Sequence, residues 1–133
     1  MIIETPLSNR AHRGKVRDTF DLGNGLLLMV ATDRISAFDV VLPTGIPEKG
    51  LVLNHISAVW FERTSQLVPN HFQCLNDSPE AGPHLQNSSF GDAMTPEIAR
   101  QSMLVRRAER IDVECIVRGY ITGSAWSEYR RKG

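Results

Sequence analysis

Residues 111–128 read Ile-Asp-Val-Glu-Cys-Ile-Val-Arg-Gly-Tyr-Ile-Thr-Gly-Ser-Ala-Trp-Ser-Glu, which combines a strand pattern, a glycine-bearing turn and a helix start. The first eight residues alternate in character, and the side chains assigned to one face are Ile111, Val113, Cys115 and Val117. A repeat of two residues is typical of a strand with one buried face. The charged residues Asp112, Glu114 and Arg118 therefore share the opposite face of the predicted strand.

The end of this stretch predicts an anion site. Gly119 and Gly123 allow tight or positive-φ backbone, and Ser124 is a suitable N-cap for a helix that carries Trp126. A helix N-terminus offers free N–H groups and the positive end of its dipole, so Ser124 with Arg118 nearby suits a phosphate.

Extended geometry limits which groups of this stretch touch each other. Glu114 and Arg118 are separated by roughly 13 Å in a fully extended strand, so they would contact different ends of one ligand. A purely structural explanation is also open. In that explanation the stem of Arg118 covers apolar surface, Glu114 is solvated and Ser124 only caps a helix.

Earlier in the chain, Gly14–Asp21 and Leu26–Ala31 are predicted to form a β-hairpin around the Asn-Gly dipeptide at 24–25, a strong type I′ turn signal. Lys15 and Arg17 would share one face of the first arm. If that face covers a nucleotide, the two cations would meet its phosphates. An exposed edge hairpin with solvated charges is the alternative, and the Walker pattern is absent.

The polar stretch Thr32–Asp39 directly follows the second arm. Loops at strand ends commonly carry binding groups, so Ser36 and Asp39 are candidates to receive an amine or a hydroxyl. They could equally form a turn that satisfies its own backbone. Val40–Pro47 is predicted to be a short strand and a loop.

The middle of the chain is predicted to hold one main helix over Gly50–Leu67. Its apolar stripe, predicted to be core, consists of Leu53, Ile56, Trp60, Thr64 and Leu67 together with the adjacent Phe61. We expect Gln73–Gln101 to be a long irregular connection with a short helix near Pro96–Arg100. Met103–Glu109 is predicted to be a strand.

Composition narrows the class of protein. The chain has 133 residues, of which 41% are apolar and 23% charged, as in ordinary globular domains. Fifteen basic and fifteen acidic side chains cancel, which argues against nucleic acid or an anionic membrane as a partner. Cys74 and Cys115 lack disulfide or zinc spacing, and a signal peptide pattern is missing, so we expect a cytoplasmic protein. The last predicted helix ends abruptly at 130–133, which suggests a truncated chain.

Four motifs in order carry a family resemblance. They are Gly-Lys-Val-Arg-Asp at 14–18, Thr-Asp-Arg-Ile-Ser-Ala-Phe-Asp at 32–39, Gly-Ile-Pro-Glu-Lys-Gly at 45–50 and Glu-Cys-Ile-Val-Arg-Gly-Tyr-Ile-Thr-Gly-Ser-Ala-Trp at 114–126. Together they resemble the phosphoribosylaminoimidazole-succinocarboxamide synthase, or SAICAR synthetase, family. The resemblance runs from about Arg13 to Gly133 and covers the N-terminal half of a family member.

The resemblance implies an ATP-dependent ligase of purine biosynthesis. ATP would phosphorylate the carboxylate of carboxyaminoimidazole ribonucleotide, and the amine of L-aspartate would displace the phosphate to form an amide. It implies an α+β fold, with an antiparallel nucleotide-binding lobe at residues 1–109 similar to ATP-grasp and kinase lobes. Residues 110–133 would be the first strand and helix of a second lobe. Magnesium would accompany ATP, with its acidic ligands downstream of Gly133, and no metal ligand is assigned here.

The resemblance also assigns roles to residues. Those expected at ATP are Gly14, Lys15, Val16 and Arg17 over its phosphates and the Arg106–Ala108 backbone at its adenine. Those expected at the imidazole nucleotide or aspartate are Ser36, Asp39, Glu114, Arg118 and Ser124, with Glu114 and Arg118 nearest the reacting end and the phosphate, respectively. A non-catalytic nucleotide- or phosphate-binding module is the alternative, and the oligomeric state is not indicated.

Overall fold

The computed structural model describes residues 1–86, 88–109, 111–113 and 115–133. Its strands are β1 (Arg10–Arg13), β2 (Arg17–Gly23), β3 (Leu26–Ala31), β4 (Ser36–Ala37), β5 (Val40–Val41), β6 (Phe72–Leu75) and β7 (Ser102–Arg106). Its α-helices are α1 (Lys49–Thr64), α2 (Gly82–Leu85), α3 (Pro96–Arg100) and α4 (Gly123–Lys132). Five strands form one antiparallel sheet in the order β1-β2-β3-β7-β6, and β4 pairs with β5 in a separate hairpin. The predicted antiparallel α+β fold is therefore confirmed.

The β2–β3 hairpin was predicted from its turn residues and is present. Asn24 and Gly25 have φ values of 51° and 76°, which is the left-handed pair that a type I′ turn requires. The hairpin register runs from Arg17 opposite Ala31 to Gly23 opposite Leu26, with a register shift near the turn. This hairpin forms the centre of the sheet, because β7 then pairs with β3.

One face of the sheet carries the buried core. The fully buried side chains of that face include Phe20, Leu28, Val30 and Leu104. They pack against the N-terminal segment and against the connection after β6, whose contributions are Ala81, Phe90 and Ile98. The Phe20 and Phe90 rings meet edge to face with centroids 6.0 Å apart. The connection predicted to be irregular apart from a short helix near Pro96–Arg100 contains that helix, and it also contains most of β6 and the short helix α2. It closes the core.

Helix α1 packs on the opposite face of the sheet, against β3, β6 and β7. Its buried positions are Gly50, Asn54 and Ala58, spaced four residues apart. Gly50 is required there, since a Cβ atom would lie 2.1 Å from the carbonyl oxygen of Ala31. The Asn54 amide donates to the carbonyl of Ser102 at 3.0 Å, so the helix rests on the sheet through small and polar side chains.

The predicted core stripe of α1 is therefore wrong. Trp60 is 59% exposed and Leu67 is 83% exposed, while Leu53 and Ile56 also face outward. Phe61, one position further, lies half-buried against His71 and Phe72. The prediction failed because α1 is apolar on two sides, and periodicity cannot tell which side meets the sheet.

The predicted strand at Ile111–Arg118 is also wrong, since none of the described residues between 111 and 122 lies in a strand. Ile111 and Val113 are exposed, and Val117 is 99% exposed. A strand requires a hydrogen-bonding neighbour, and the five-stranded sheet ends at β1 and β6 without this segment. Only the helix after it, α4, was correctly predicted. Within the described residues, no helix combines the length and apolar character needed to cross a bilayer.

Candidate functional site

The segment Gly14–Val16 lies in the bend between β1 and β2, where the sequence predicts phosphate contacts. The carbonyl oxygens of all three residues turn toward the end of β3. Gly14 O and Lys15 O accept from the guanidinium of Arg34 at 3.0 and 3.1 Å. Val16 O accepts from the amide and the hydroxyl of Thr32 at 3.0 and 2.9 Å. The backbone of this segment is therefore fixed by two residues that lie about twenty positions away.

Arg34 is itself held in a buried ion pair. Its Nη2 atom lies 2.6 Å from Asp18 Oδ1, and the two side chains are 3% and 0% exposed. The hydroxyl of Thr5 donates to the other carboxylate oxygen at 2.6 Å. Burial alone would raise the pKa of Asp18, but the hydrogen bonds from Arg34 and Thr5 outweigh it, and the pKa lies below its usual value.

Asp18 and Arg34 both lie in the sequence motifs, but the motifs indicate no role for either residue. The sequence does contain a signal, because Asp18 lies two positions before Phe20 and would share its face in a strand. In the structure both side chains are fully buried. A carboxylate on the buried face of a strand needs a charged or hydrogen-bonding partner. The pattern does not say which of the chain's basic residues provides it.

Lys15 and Asp39 form an ion pair with 2.6 Å between Nζ and Oδ1, and both side chains are largely exposed. The hydrogen bond from Lys15, with its charge, lowers the pKa of the Asp39 carboxyl. The structure thus brings together one residue predicted at ATP and one predicted at the other substrates. The prediction that Lys15 lies on one face of the first hairpin arm is wrong, because β2 begins only at Arg17.

Asp39 belongs to the tip of the β4–β5 hairpin. Phe38 and Asp39 have φ values of 49° and 66°, and the Phe38 side chain is fully exposed. Positive φ is a genuine outlier for a bulky residue such as phenylalanine. Ser36 lies half-buried in β4, opposite Val41. Ser36 and Asp39 lie three positions apart in this hairpin.

A cavity of about 90 Å³ lies between the sheet and α1. Its lining residues are Arg17, Met29, Ala31, Asn54, Ser57, Phe61, His71 and Met103. Burial, and secondarily the charge of Arg17, lowers the pKa of His71. The cavity is much smaller than ligand pockets, which measure roughly 300–1,000 Å³, so it does not enclose a nucleotide.

The Arg106–Ala108 segment, predicted at adenine, begins at the end of β7, which lies between β3 and β6 in the sheet. Arg106 ends β7, and its amide donates to the carbonyl of His71 at 2.7 Å. The next amide, of Arg107, donates to the carbonyl of Gly25 at 2.7 Å. Ala108 follows the strand and is exposed. An adenine contact at this segment stays a prediction.

Arg118 and Ser124 lie together, with 3.3 Å between Nη2 and the hydroxyl oxygen. Gly123 has a φ of 58°, a left-handed backbone conformation that favours glycine, which explains the glycine between them. The pair borders an open concavity of about 460 Å³ that also involves Tyr120 and Glu128. Their role as phosphate ligands stays a prediction.

One detail of the site around Arg118 and Ser124 differs from the prediction, and one predicted residue lies outside the described residues. Thr122, not Ser124, occupies the N-cap of α4, and within the described residues its side chain makes no capping bond. Ser124 is therefore the second residue of the helix, where its hydroxyl is free to meet Arg118. Glu114, predicted to orient the imidazole nucleotide, lies outside the described residues.

The chain is similar to known proteins along its whole length. Residues 10–133 match the family model described as SAICAR synthetase. The phosphoribosylaminoimidazole-succinocarboxamide synthase of Thermodesulfovibrio yellowstonii is 45% identical over 137 residues, which cover 100% of this chain and 44% of that protein. The enzyme of the same description from Elusimicrobium minutum is 48% identical, over 91% of this chain and 39% of that protein.

A solved structure gives the same match in three dimensions. The SAICAR synthase from Saccharomyces cerevisiae, described as complexed with SAICAR, has a TM-score of 0.85 and 39% sequence identity. The superposition covers 100% of this chain and 46% of that chain. The chain therefore spans less than half the length of the relatives that it matches.

Proposed function

The chain belongs to the SAICAR synthetase family, and on that premise we propose that it is the N-terminal part of an ATP-dependent carboxylate–amine ligase. The reaction joins L-aspartate to carboxyaminoimidazole ribonucleotide in the cytoplasm. The observation that carries the proposal is the contact of Arg118 with Ser124 beside the N-terminus of α4. A guanidinium, a hydroxyl and free helical N–H groups are the donors that a nucleotide phosphate requires.

The reaction proceeds in two steps in this proposal. A carboxylate oxygen of the imidazole nucleotide attacks the γ-phosphorus of ATP, which forms an acyl phosphate and releases ADP. The amine nitrogen of aspartate then attacks the acyl carbon, phosphate leaves with the bonding electron pair, and the nitrogen loses a proton. Positioning and charge neutralisation supply most of the rate enhancement in such phosphoryl transfer.

The lobe at residues 1–109 binds ATP in this proposal. The Gly14–Arg17 segment covers the phosphates, with Lys15 as the main cation, and the backbone at Arg106–Ala108 meets adenine. Two features support Lys15 as a phosphate ligand. Its side chain is about half exposed, and the carbonyl of the preceding residue, Gly14, is held by Arg34. Residues 110–133 begin the lobe that binds the imidazole nucleotide.

Magnesium commonly accompanies ATP in such enzymes and neutralises charge on the transferred phosphoryl group. Within the part of the chain that the structure describes, no group of three or more histidine, cysteine or acidic side chains is placed to hold a metal ion. We propose that its ligands lie in the polypeptide that the longer relatives have in addition.

The substrate end of the site combines Ser36 and Asp39 of the β4–β5 hairpin with Arg118 and Ser124. In this proposal the hairpin approaches aspartate or the imidazole ring, while Arg118 and Ser124 hold the ribose phosphate. Glu114 orients the imidazole end. The left-handed backbone at the tip of the hairpin supports this binding role, because strained backbone of this kind occurs preferentially at binding sites.

A module that binds nucleotide without chemistry is the second candidate, favoured by the coverage of only 44% of the first relative. Calorimetric titration of this chain with magnesium-ATP and with the imidazole nucleotide tests binding. Assays of phosphate release with aspartate, on this chain and on its full-length parent, then test catalysis. Release by the parent alone supports the ligase with a binding-only fragment. Absence of binding and release in both would refute the ligase.

A further inference from the structure

Arg34 uses every donor that its guanidinium possesses. Nε donates to Lys15 O, Nη1 donates to Ile3 O and to Asp18, and Nη2 donates to Gly14 O and to Asp18. An arginine side chain has five N–H donors, so none is left for a ligand. Arg34 therefore cannot act by touching a substrate, and any effect on function must pass through the groups that it holds.

Two of those groups, Gly14 O and Lys15 O, belong to the Gly14–Val16 segment. The third carbonyl of the segment, Val16 O, accepts from Thr32. In a trans peptide the carbonyl and the following N–H point in opposite directions. The N–H groups of Lys15 and Val16 consequently point away from Arg34. Successive backbone N–H groups on one side of a segment form a concavity suited to anions.

We propose that Arg34 is a positioning residue for phosphate binding, which fixes the Gly14–Val16 backbone so that the N–H groups of Lys15 and Val16 face the ATP phosphates. Asp18 keeps the guanidinium in place and neutralises it, so the positive charge offered to ATP is that of Lys15. This inference rests on the proposed function for the identity of the ligand. The arrangement of the backbone can be measured without any ligand.

A lysine cannot replace Arg34 in this role. Its ammonium group is a compact point charge with three donors, whereas the guanidinium reaches two carbonyls of the segment, Ile3 O and the carboxylate at fixed angles. Arg34→Lys therefore keeps the charge opposite Asp18 but releases the segment. Arg10→Lys is a matched control, because Arg10 donates to the carbonyl of Thr5 and not to residues 14–16.

The test combines amide hydrogen exchange with calorimetric titration of the full-length parent. In the ligand-free Arg34→Lys protein we expect exchange at the amides of Gly14 and Thr32, which donate to Arg17 O and Val16 O, to accelerate at least about tenfold, with Leu28 in the core strand as the reference. We expect the dissociation constant of magnesium-ATP to rise by a similar factor, while that of the imidazole nucleotide is unchanged. Arg10→Lys should change neither quantity.

Each other outcome has a defined meaning. Weaker ATP binding with unchanged exchange, or faster exchange with unchanged ATP binding, overturns the inference. If the wild-type protein binds no ATP, the proposed function fails, and unchanged exchange would refute the positioning role separately. If Arg34→Lys does not fold, Thr32→Val decides, because it removes only the hydroxyl bond to Val16 O and should produce the same two changes at smaller size.

Discussion

Asp33 provides the capping carboxylate of α1 from another part of the chain, with 2.9 Å between the Gly50 amide nitrogen and Oδ1. The residue at the N-cap itself, Glu48, is left-handed and makes no side-chain capping bond within the described residues. Asp33 also accepts from Gln101 at 3.0 Å and from the amide of Ile2 at 2.6 Å. One buried carboxylate thus joins the N-terminal segment, α1 and the end of α3.

Asp33→Asn should destabilise the protein. The variant loses the favourable interaction of a negative charge with the helix N-terminus, and its amide group offers one acceptor atom instead of two. We expect the free energy of unfolding to fall by about 1–3 kcal/mol, measured by urea denaturation. Glu48→Gln is the control and should stay within about 0.5 kcal/mol. An equal loss in both variants would contradict the capping role of Asp33.

The ion pair of Asp18 with Arg34 makes stability depend on pH. The pKa of Asp18 lies below its usual value of 3.8 in the folded protein, so the unfolded chain takes up the proton first as the pH falls. The stabilisation is therefore present above about pH 4 and is lost as the pH falls through the folded pKa.

Asp18→Asn tests this dependence. At neutral pH the variant should lose about 3–5 kcal/mol of unfolding free energy, because it leaves Arg34 buried without its counter-charge. The difference from wild type should shrink below pH 4 in acid titrations followed by circular dichroism. Asp77→Asn, at an exposed turn, should leave the profile unchanged. A constant difference across the acid range would exclude Asp18 as the titrating group.

The two sides of α1 should respond differently to substitution. Ala58 is 2% exposed, so Ala58→Leu forces extra volume against the sheet and should cost about 1–3 kcal/mol of unfolding free energy. Trp60→Gln, on the exposed side, should change that quantity by less than about 0.5 kcal/mol. Chemical denaturation of this 133-residue chain measures both. A large loss of unfolding free energy with Trp60→Gln would instead place Trp60 in the core, as the sequence pattern predicted.

Lys15 is paired with Asp39, and a phosphate would compete for the same ammonium group. Asp39→Asn removes the competing charge, so magnesium-ATP should bind a few-fold more tightly in calorimetric titration. Lys15→Met should weaken the same binding. If Asp39→Asn instead weakens the binding of ATP, then Asp39 orients Lys15 toward the phosphates and does not compete with them.

Arg118→Ala should weaken binding of the imidazole nucleotide to the full-length parent. Removing a charge-assisted phosphate contact costs on the order of 1.5–3 kcal/mol of binding free energy. Ser124→Ala, which removes a neutral donor, should cost less. Steady-state kinetics with the imidazole nucleotide varied gives both values. Arg131→Ala, near the end of the same helix, is the control, and an unchanged KM in Arg118→Ala would remove this residue from the site.

Local sequence signals predicted the elements whose interactions are local. The Asn24–Gly25 turn, the main helix and the short helix at Pro96–Arg100 were all found in this way. The contact of Arg118 with Ser124 spans only six residues and a glycine, so its turn and helix signals were sufficient to place the two together. The strand predicted at Ile111–Arg118 failed, because alternation specifies a face but cannot provide a pairing partner.

The sequence by itself determined the antiparallel hairpin, the helices α1, α3 and α4 and the four motifs that identify the family. Only the tertiary structure decided that Arg34 pairs with Asp18, that Asp33 caps α1 and that Lys15 meets Asp39. These contacts join residues 16, 17 and 24 positions apart. Side-chain periodicity reports which residues share a face of one element. The partner of a buried charge depends on how separate elements pack, which three-dimensional packing alone establishes.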